Sequence, residues 1–357
     1  MKNITDIDTN FKNKSVLKDD IKFYNVRHKP FQLYGFYKPE VEGKFRRIPE
    51  DVAASVSDGV RFLSTHTSGG RIRFKTDSQY IVLKTIMSVI HPMPHMTIAG
   101  SAGFDIYVDG EFTGIFMPTI KYDGYIPTFD LEGGYEGIKE FPNKKMRDII
   151  INFPLYDEVD DVFIGVSENA VIENGNDYSA GKKVVFYGSS ITQGGCATRP
   201  GNSYQNILSR WLDFDFLNLG FSGNAKGEPE IAEYIANLDM DIFVYDYDFN
   251  APSNEHFENT HYSMYKTIRN SHPDIPIIML SRPTHSRDAE VFQRIDIIEK
   301  TIAKAKENGD YNVYFLNGHE IFKSIDGNVF NVDGCHPNDF GFYCMAKAIE
   351  NIMKDLF

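Results

Sequence analysis

The chain has 357 residues, 42% hydrophobic and 24% charged, the profile of a soluble globular protein long enough for two ordinary domains. A net charge of -13 argues against nucleic-acid binding, which needs clustered Lys and Arg to displace counterions, and no stretch reaches the roughly 18–20 apolar residues of a membrane span. Met1–Asp8 lacks the apolar core of a signal peptide, so a cytoplasmic protein is expected, and three cysteines, an odd number, do not resemble a disulfide framework.

Taken in chain order, the first half is written in strands. Arg71–Thr76 alternates polar and apolar residues, Tyr80–Met87 continues in β-branched residues, and Phe104–Phe116 carries Asp109-Gly110, a hairpin-turn signal. Asp148–Phe153 and Val162–Val166 add two more strands. Short strands between turn residues, with no long periodic helix, predict a β-sandwich over residues 1–172. Ser167–Gly181 is polar and reads as a linker. Strands then alternate with helices over residues 180–357: strands at Lys183–Tyr187, Asp215–Leu219, Asp241–Tyr245, Ile275–Leu280 and Asn312–Leu316. Helices are expected at Ser203–Leu212, Pro229–Asn237, His256–Asn270, Asp288–Asn308 and Asn338–Asp355, with Pro229 and Pro337 in first turns. Five βα units imply a parallel sheet covered by helices on both faces.

Such sheets bind ligands at the carboxyl ends of their strands, and the chemistry-bearing residues fall there. Val184–Gly188 ends in a glycine turn that presents Ser189 and Ser190; Gly223 follows the second strand, Asn250 the third, and Asp333 and His336 the fifth. A serine hydroxyl attacks an acyl carbon only when an imidazole takes its proton and a third group fixes the imidazole tautomer. Singly, the serines read equally well as turn residues, Asp333 as a helix cap and His336 as a loop histidine. Their order after successive strands favours serine-dependent acyl transfer.

The second half resembles the SGNH (GDSL-type) hydrolases. Gly188-Ser189-Ser190-Ile191-Thr192 stands at the family's first block, Asn218–Asn224 resembles the second, and Asp333-Gly334-Cys335-His336 matches the fifth. The third block, usually Gly-x-Asn-Asp, is here Asp248-Phe249-Asn250-Ala251, which keeps Asn250 and puts the local loop geometry in doubt. The resemblance implies a three-layer, flavodoxin-like α/β fold with Ser190 as nucleophile in preference to Ser189, His336 as base and Asp333 as its orienting carboxylate. It further implies an oxyanion hole from the N–H groups of Ser190 and Gly223 and the amide of Asn250.

Gly103-Phe104-Asp105-Ile106-Tyr107 is similar to the Gly-x-Asp-Leu-Tyr signature of a jelly-roll-like sandwich that precedes some SGNH esterases. That pairing implies carbohydrate-directed removal of short acyl groups, acetyl foremost, through an acyl-enzyme. A lipid or thioester hydrolase is one alternative, and a non-catalytic carbohydrate-binding protein another. Arg199, Asn202, Arg282 and His285 are candidate substrate contacts on loops at the active end, and Asp105 and Tyr107 on the sandwich; Arg199 reads equally as a tie to an acidic neighbour, Arg282 and His285 as solvated loop residues, Tyr107 as packing between the domains and Asp105 as a turn cap. Ten histidines show no helical metal-binding spacing, so no metal and no cofactor is expected. Cys196 and Cys335 flank the motifs and read as small thiols whose redox state stays open. The expected partner is a small-molecule or oligosaccharide ester, with no nucleic acid and no membrane; homo-oligomerisation is compatible with the sequence.

Overall fold

The computed structural model describes residues 7, 16, 18–123, 126–327 and 329–357. Its first half contains β1 (Ile21–Asn25), β2 (Gln32–Tyr34), α1 (Glu50–Val56), α2 (Asp58–Leu63), β3 (Arg71–Thr76), β4 (Tyr80–Ile86) and α3 (Ile98–Ser101). It continues with β5 (Phe104–Val108), β6 (Glu111–Phe116), β7 (Ile120–Asp123), β8 (Ile126–Phe129), β9 (Tyr135–Glu140), β10 (Arg147–Asn152), β11 (Asp161–Ser167) and β12 (Ile172–Asn174). All strand pairings here are antiparallel: one sheet runs β1-β11-β4-β9, a second runs β12-β3-β10-β5-β6 with β2 also on β3, and β7 pairs with β8. Ile72 and Phe74 from one sheet and Ile81, Leu83, Ile164 and Val166 from the other share one core, the expected sandwich. The Asp109-Gly110 hairpin is present, with φ of 51° and 87°, the double positive φ of a primed turn. Part of the expected linker is strand: β12 pairs with the edge of β3.

The second half holds β13 (Lys183–Gly188), α4 (Ser190–Gln193), α5 (Tyr204–Leu212), β14 (Asp215–Gly220), α6 (Pro229–Ala236), β15 (Ile242–Asp246) and α7 (Asn254–Ser271). It ends with β16 (Ile277–Leu280), α8 (Ala289–Glu307), β17 (Val313–Leu316), α9 (Gly318–Phe322) and α10 (Asp339–Met353). The five strands are parallel in the order β14-β13-β15-β16-β17, a doubly wound flavodoxin-like sheet. Alternation assigns the faces: Val184, Phe186 and Val244 pack with α5 and α10, whereas Val185, Tyr187 and Phe243 pack with α6, α7 and α8. Pro229 is in the first turn of α6 as expected; Pro337 instead precedes the Asn338 cap of α10 and lies outside the helix.

The halves are fastened by charge. Arg71 and Arg73, on the polar side of β3, are buried, and Arg71 donates to the Asp215 carboxylate (2.5 Å) and the Phe216 carbonyl (3.0 Å). Arg47, fully buried, donates to the carbonyls of Leu63, His66, Asn218 and Gly220. The short helices α1 and α2 place Ala53, Val60 and Leu63 in the core of the α/β half. Among the described residues, no helix is long and apolar enough to cross a membrane.

Candidate active site

Ser190 begins α4 directly after β13, where Ser189 caps the helix by accepting from the Ile191 N–H (3.1 Å). As the first helical residue, Ser190 has an N–H with no intrahelical acceptor, left pointing out of the turn. Its carbonyl accepts from the N–H groups of Gly194 and Gly195 (both 3.0 Å) and from the Tyr156 hydroxyl (3.1 Å) on the sandwich side. Gly188 is required because a Cβ there would stand 2.1 Å from Asp246 Oδ1. Asp246 accepts the Ser189 N–H (3.0 Å) beneath the turn, and burial pushes its carboxyl up to about 7. The side chain of Ser189 is spent on capping, which leaves Ser190 Oγ as the hydroxyl presented.

His336 and Asp333 come from the loop before α10. Asp333 Oδ2 lies 2.8 Å from His336 Nδ1, and its other oxygen accepts the backbone N–H groups of Cys335 (3.1 Å) and His336 (2.8 Å). Burial acts to raise the Asp333 carboxyl, but these His336 and Cys335 donors outweigh it and hold the group at about 2. An ionised carboxylate only accepts, so in the neutral imidazole Nδ1 carries the proton and Nε2 keeps its lone pair. That nitrogen is 2.9 Å from Ser190 Oγ. The Cys196 N–H donates to the Pro337 carbonyl (2.9 Å), tying the serine loop to the histidine loop.

Gly223 and Asn250 follow β14 and β15, the two neighbours of β13 in the sheet. Gly223 has a φ of 67°, which favours glycine, and Gln193 Oε1 holds the preceding residue by accepting the Ser222 N–H (2.9 Å). Asn250 Nδ2 donates to the Phe221 carbonyl (3.1 Å), so its amide is anchored on the loop that carries Gly223. The altered third block is held by substitutes. The buried Asp248 accepts the N–H groups of Phe249 (2.9 Å) and Arg282 (3.1 Å), and Arg294 donates to the carbonyls of Asp248 and Ala251. Burial raises the Asp248 carboxyl.

Comparison with known proteins finds a family match for each half of the chain. Residues 181–354 match the GDSL-like lipase/acylhydrolase family, and residues 21–172 match the GxDLY family, the N-terminus of SGNH-hydrolase-type esterases. The second half of the chain is a GDSL-like lipase/acylhydrolase domain. Its class of chemistry is ester hydrolysis. A crystal structure of a putative GDSL-like lipase from Bacteroides ovatus is 29% identical, covers 94% of this chain and 98% of its own, and superposes with a TM-score of 0.82. The salicylyl-acyltransferase SsfX3 of a tetracycline biosynthetic pathway shares the fold at 19% identity, with 95% and 98% coverage and a TM-score of 0.76. An acetyl xylan esterase from Butyrivibrio proteoclasticus does so at 14% identity, with 94% and 100% coverage and a TM-score of 0.61. A comparison with curated proteins found no match.

The remaining candidates of the GDSL-like domain and its sandwich separate clearly. Asp105 and Tyr107, candidates for sugar contact or for packing, are buried, which favours packing. Asp105 accepts Arg199 Nη1 (2.7 Å), the Gly201 N–H (2.8 Å) and Asn152 Nδ2 (2.7 Å), and Arg199 also donates to the Tyr107 hydroxyl. The Arg199 guanidinium lies 3.9 Å over the Phe112 ring, so it clamps the serine loop to the sandwich instead of facing substrate. Asn202 gives its amide to Asp339 Oδ2 (2.7 Å), at the first residue of α10. Arg282 is half-buried over the Phe249 ring (4.3 Å), beside the third block, whereas the exposed His285 packs on Phe330. Cys196, Cys335 and Cys344 are free thiols, and burial pushes Cys196 up to about 12 and Cys335 up to about 11. Sequence reading missed Gln193, Tyr156 and Asp246; only Asp246, a carboxylate at the end of a buried strand, carried a signal that could have flagged it.

Proposed function

We propose that the chain is a serine esterase that removes short acyl groups, acetyl foremost, from carbohydrates through an acyl-enzyme on Ser190. The observation that carries this reading is the unbroken relay from Asp333 through His336 to Ser190 at 2.8 and 2.9 Å. His336 Nε2 takes the Ser190 proton as Oγ bonds to the ester carbon, and the carbonyl π electrons move to oxygen. That oxyanion is met by the N–H groups of Ser190 and Gly223 and the Asn250 amide, donors fixed before the charge forms. Collapse expels the sugar alkoxide, which takes the proton from His336; water then repeats the sequence and releases the acid.

The substrate assignment is supported by the pairing of the GDSL-like domain with the GxDLY sandwich and by the fold shared with the acetyl xylan esterase. The reading takes residues 1–172 as the sandwich domain and 180–357 as the catalytic domain. Hydrolysis of p-nitrophenyl esters of increasing chain length by wild type and Ser190→Ala tests the chemistry, and acetate release from acetylated oligosaccharides tests the substrate. The expected result is turnover that favours acetate and is lost with Ser190. Preference for long chains would replace the short-acyl assignment with a lipase, and turnover independent of Ser190 would refute the mechanism.

A further inference from the structure

Beside the relay stands a constellation of which ester hydrolysis uses only His336. His95, from the loop between β4 and α3, Cys196, from the loop after α4, and His336 each bring one potential ligand atom, and the three atoms lie within 4.8 Å of one another. The His95 and His336 rings are 5.4 Å apart, centre to centre. Cys196 is buried and the two histidines are half-buried, so the cluster is partly sheltered from solvent. We propose that His95, Cys196 and His336 Nε2 form a binding site for a borderline-soft divalent cation, Zn2+ foremost, whose occupancy switches the hydrolase off.

The donor set selects the metal. Two imidazoles and a thiolate suit Zn2+, Co2+ or Cu2+ and are poor ligands for Mg2+ and Ca2+, which take oxygen. With Zn–N of about 2.0 Å and Zn–S of about 2.3 Å, tetrahedral ligand atoms sit about 3.5 Å apart. Closing from the present spacing takes about 1 Å of side-chain motion by that measure. The fourth position would be left to water.

The outer shell is already in place, because Asp333 accepts His336 Nδ1–H and so fixes the tautomer with its lone pair on Nε2. On binding, the Cys196 thiol proton passes to solvent as the sulfur–metal bond forms, with no change in oxidation state. The Nε2 lone pair that takes the Ser190 proton is the one the cation would occupy, so binding and turnover exclude each other. The metal site stands on geometry alone; the inhibition rests on the proposed esterase reading.

Optical titration with Co2+ reads binding whether or not an ester is turned over. The expected result is one Co2+ per chain with a thiolate-to-metal charge-transfer band, displaced by Zn2+ and unaffected by Mg2+. Cys196→Ser should abolish the band. His95→Ala should weaken binding by more than the roughly 10–100-fold that loss of an outer-shell partner costs, while keeping metal-free turnover of p-nitrophenyl acetate. In wild type, turnover should fall at the binding midpoint and return on chelation. No saturable band up to millimolar Co2+, or equal affinity in wild type and His95→Ala, would overturn the site; full turnover by the Zn2+-loaded protein would overturn the switch. A saturable band in a chain that hydrolyses no ester would support the site and count against the esterase reading.

Discussion

The Asp105–Arg199 clamp should be a main determinant of stability, and Asp105→Ala tests it. Asp105 is fully buried and its oxygens hold three donors, Arg199, Gly201 and Asn152, at 2.7–2.8 Å. Truncating it removes the carboxylate that neutralises the Arg199 guanidinium between the two halves, and removing one partner of a buried ion pair costs about 3–5 kcal/mol. For a chain of this size that is a fall in Tm of roughly 6–10 °C, at about 2 °C per kcal/mol. Because Arg199 and Asn202 belong to one loop and Asn202 is tied to Asp339 at the start of α10, turnover should fall as well. In the double variant Asp105→Ala, Arg199→Ala the uncompensated charge is gone, so the losses should be non-additive by about 0.5–3 kcal/mol. Thermal melts followed by circular dichroism read both effects. An Asp105→Ala chain that melts with wild type, or singles that add, would refute the claim that this pair locks the halves together.

Two further predictions concern the site itself. Asn250→Ala removes one oxyanion donor, and kcat for p-nitrophenyl acetate should fall by about 10²–10³-fold with KM little changed; a change confined to KM would remove Asn250 from that role. Asp246 is buried with its carboxyl raised from 3.8 to about 7, so between those values the folded chain holds a proton the unfolded chain has lost. Stability should therefore fall as pH rises from about 4 to about 7 and level off above, and Asp246→Asn should flatten that part of the Tm-against-pH curve.

The second half was legible in sequence because each element announces itself locally. Buried parallel strands read as apolar runs, their helices are long enough for the period to show, and Ser190, Gly223, Asn250, Asp333 and His336 follow strand ends in order. The first half was less so. Strands such as β2 and β12 are three residues long, and α1 and α2 take their stability from packing on the α/β core. For Asp105, Tyr107 and Arg199 sequence left substrate contact and structural tie both open, because the residues that pair lie more than ninety positions apart and only the fold shows that Arg199 meets Asp105 and Tyr107. Asp248 looked like a loss at the third block. The structure explains it as the gain of a carboxylate that accepts two backbone N–H groups, in a loop braced by Arg294. The His95–Cys196–His336 cluster escaped for the same cause, three loops with no shared sequence period.

Whether Ser190 carries the acyl group is measured directly by rapid acid quench of the enzyme turning over p-nitrophenyl acetate, followed by peptide mass spectrometry. One acetyl group is expected on the peptide containing Ser190, absent from Ser190→Ala. Sustained turnover with Ser190 unmodified, or with the acetyl group on another residue, would contradict that role for Ser190.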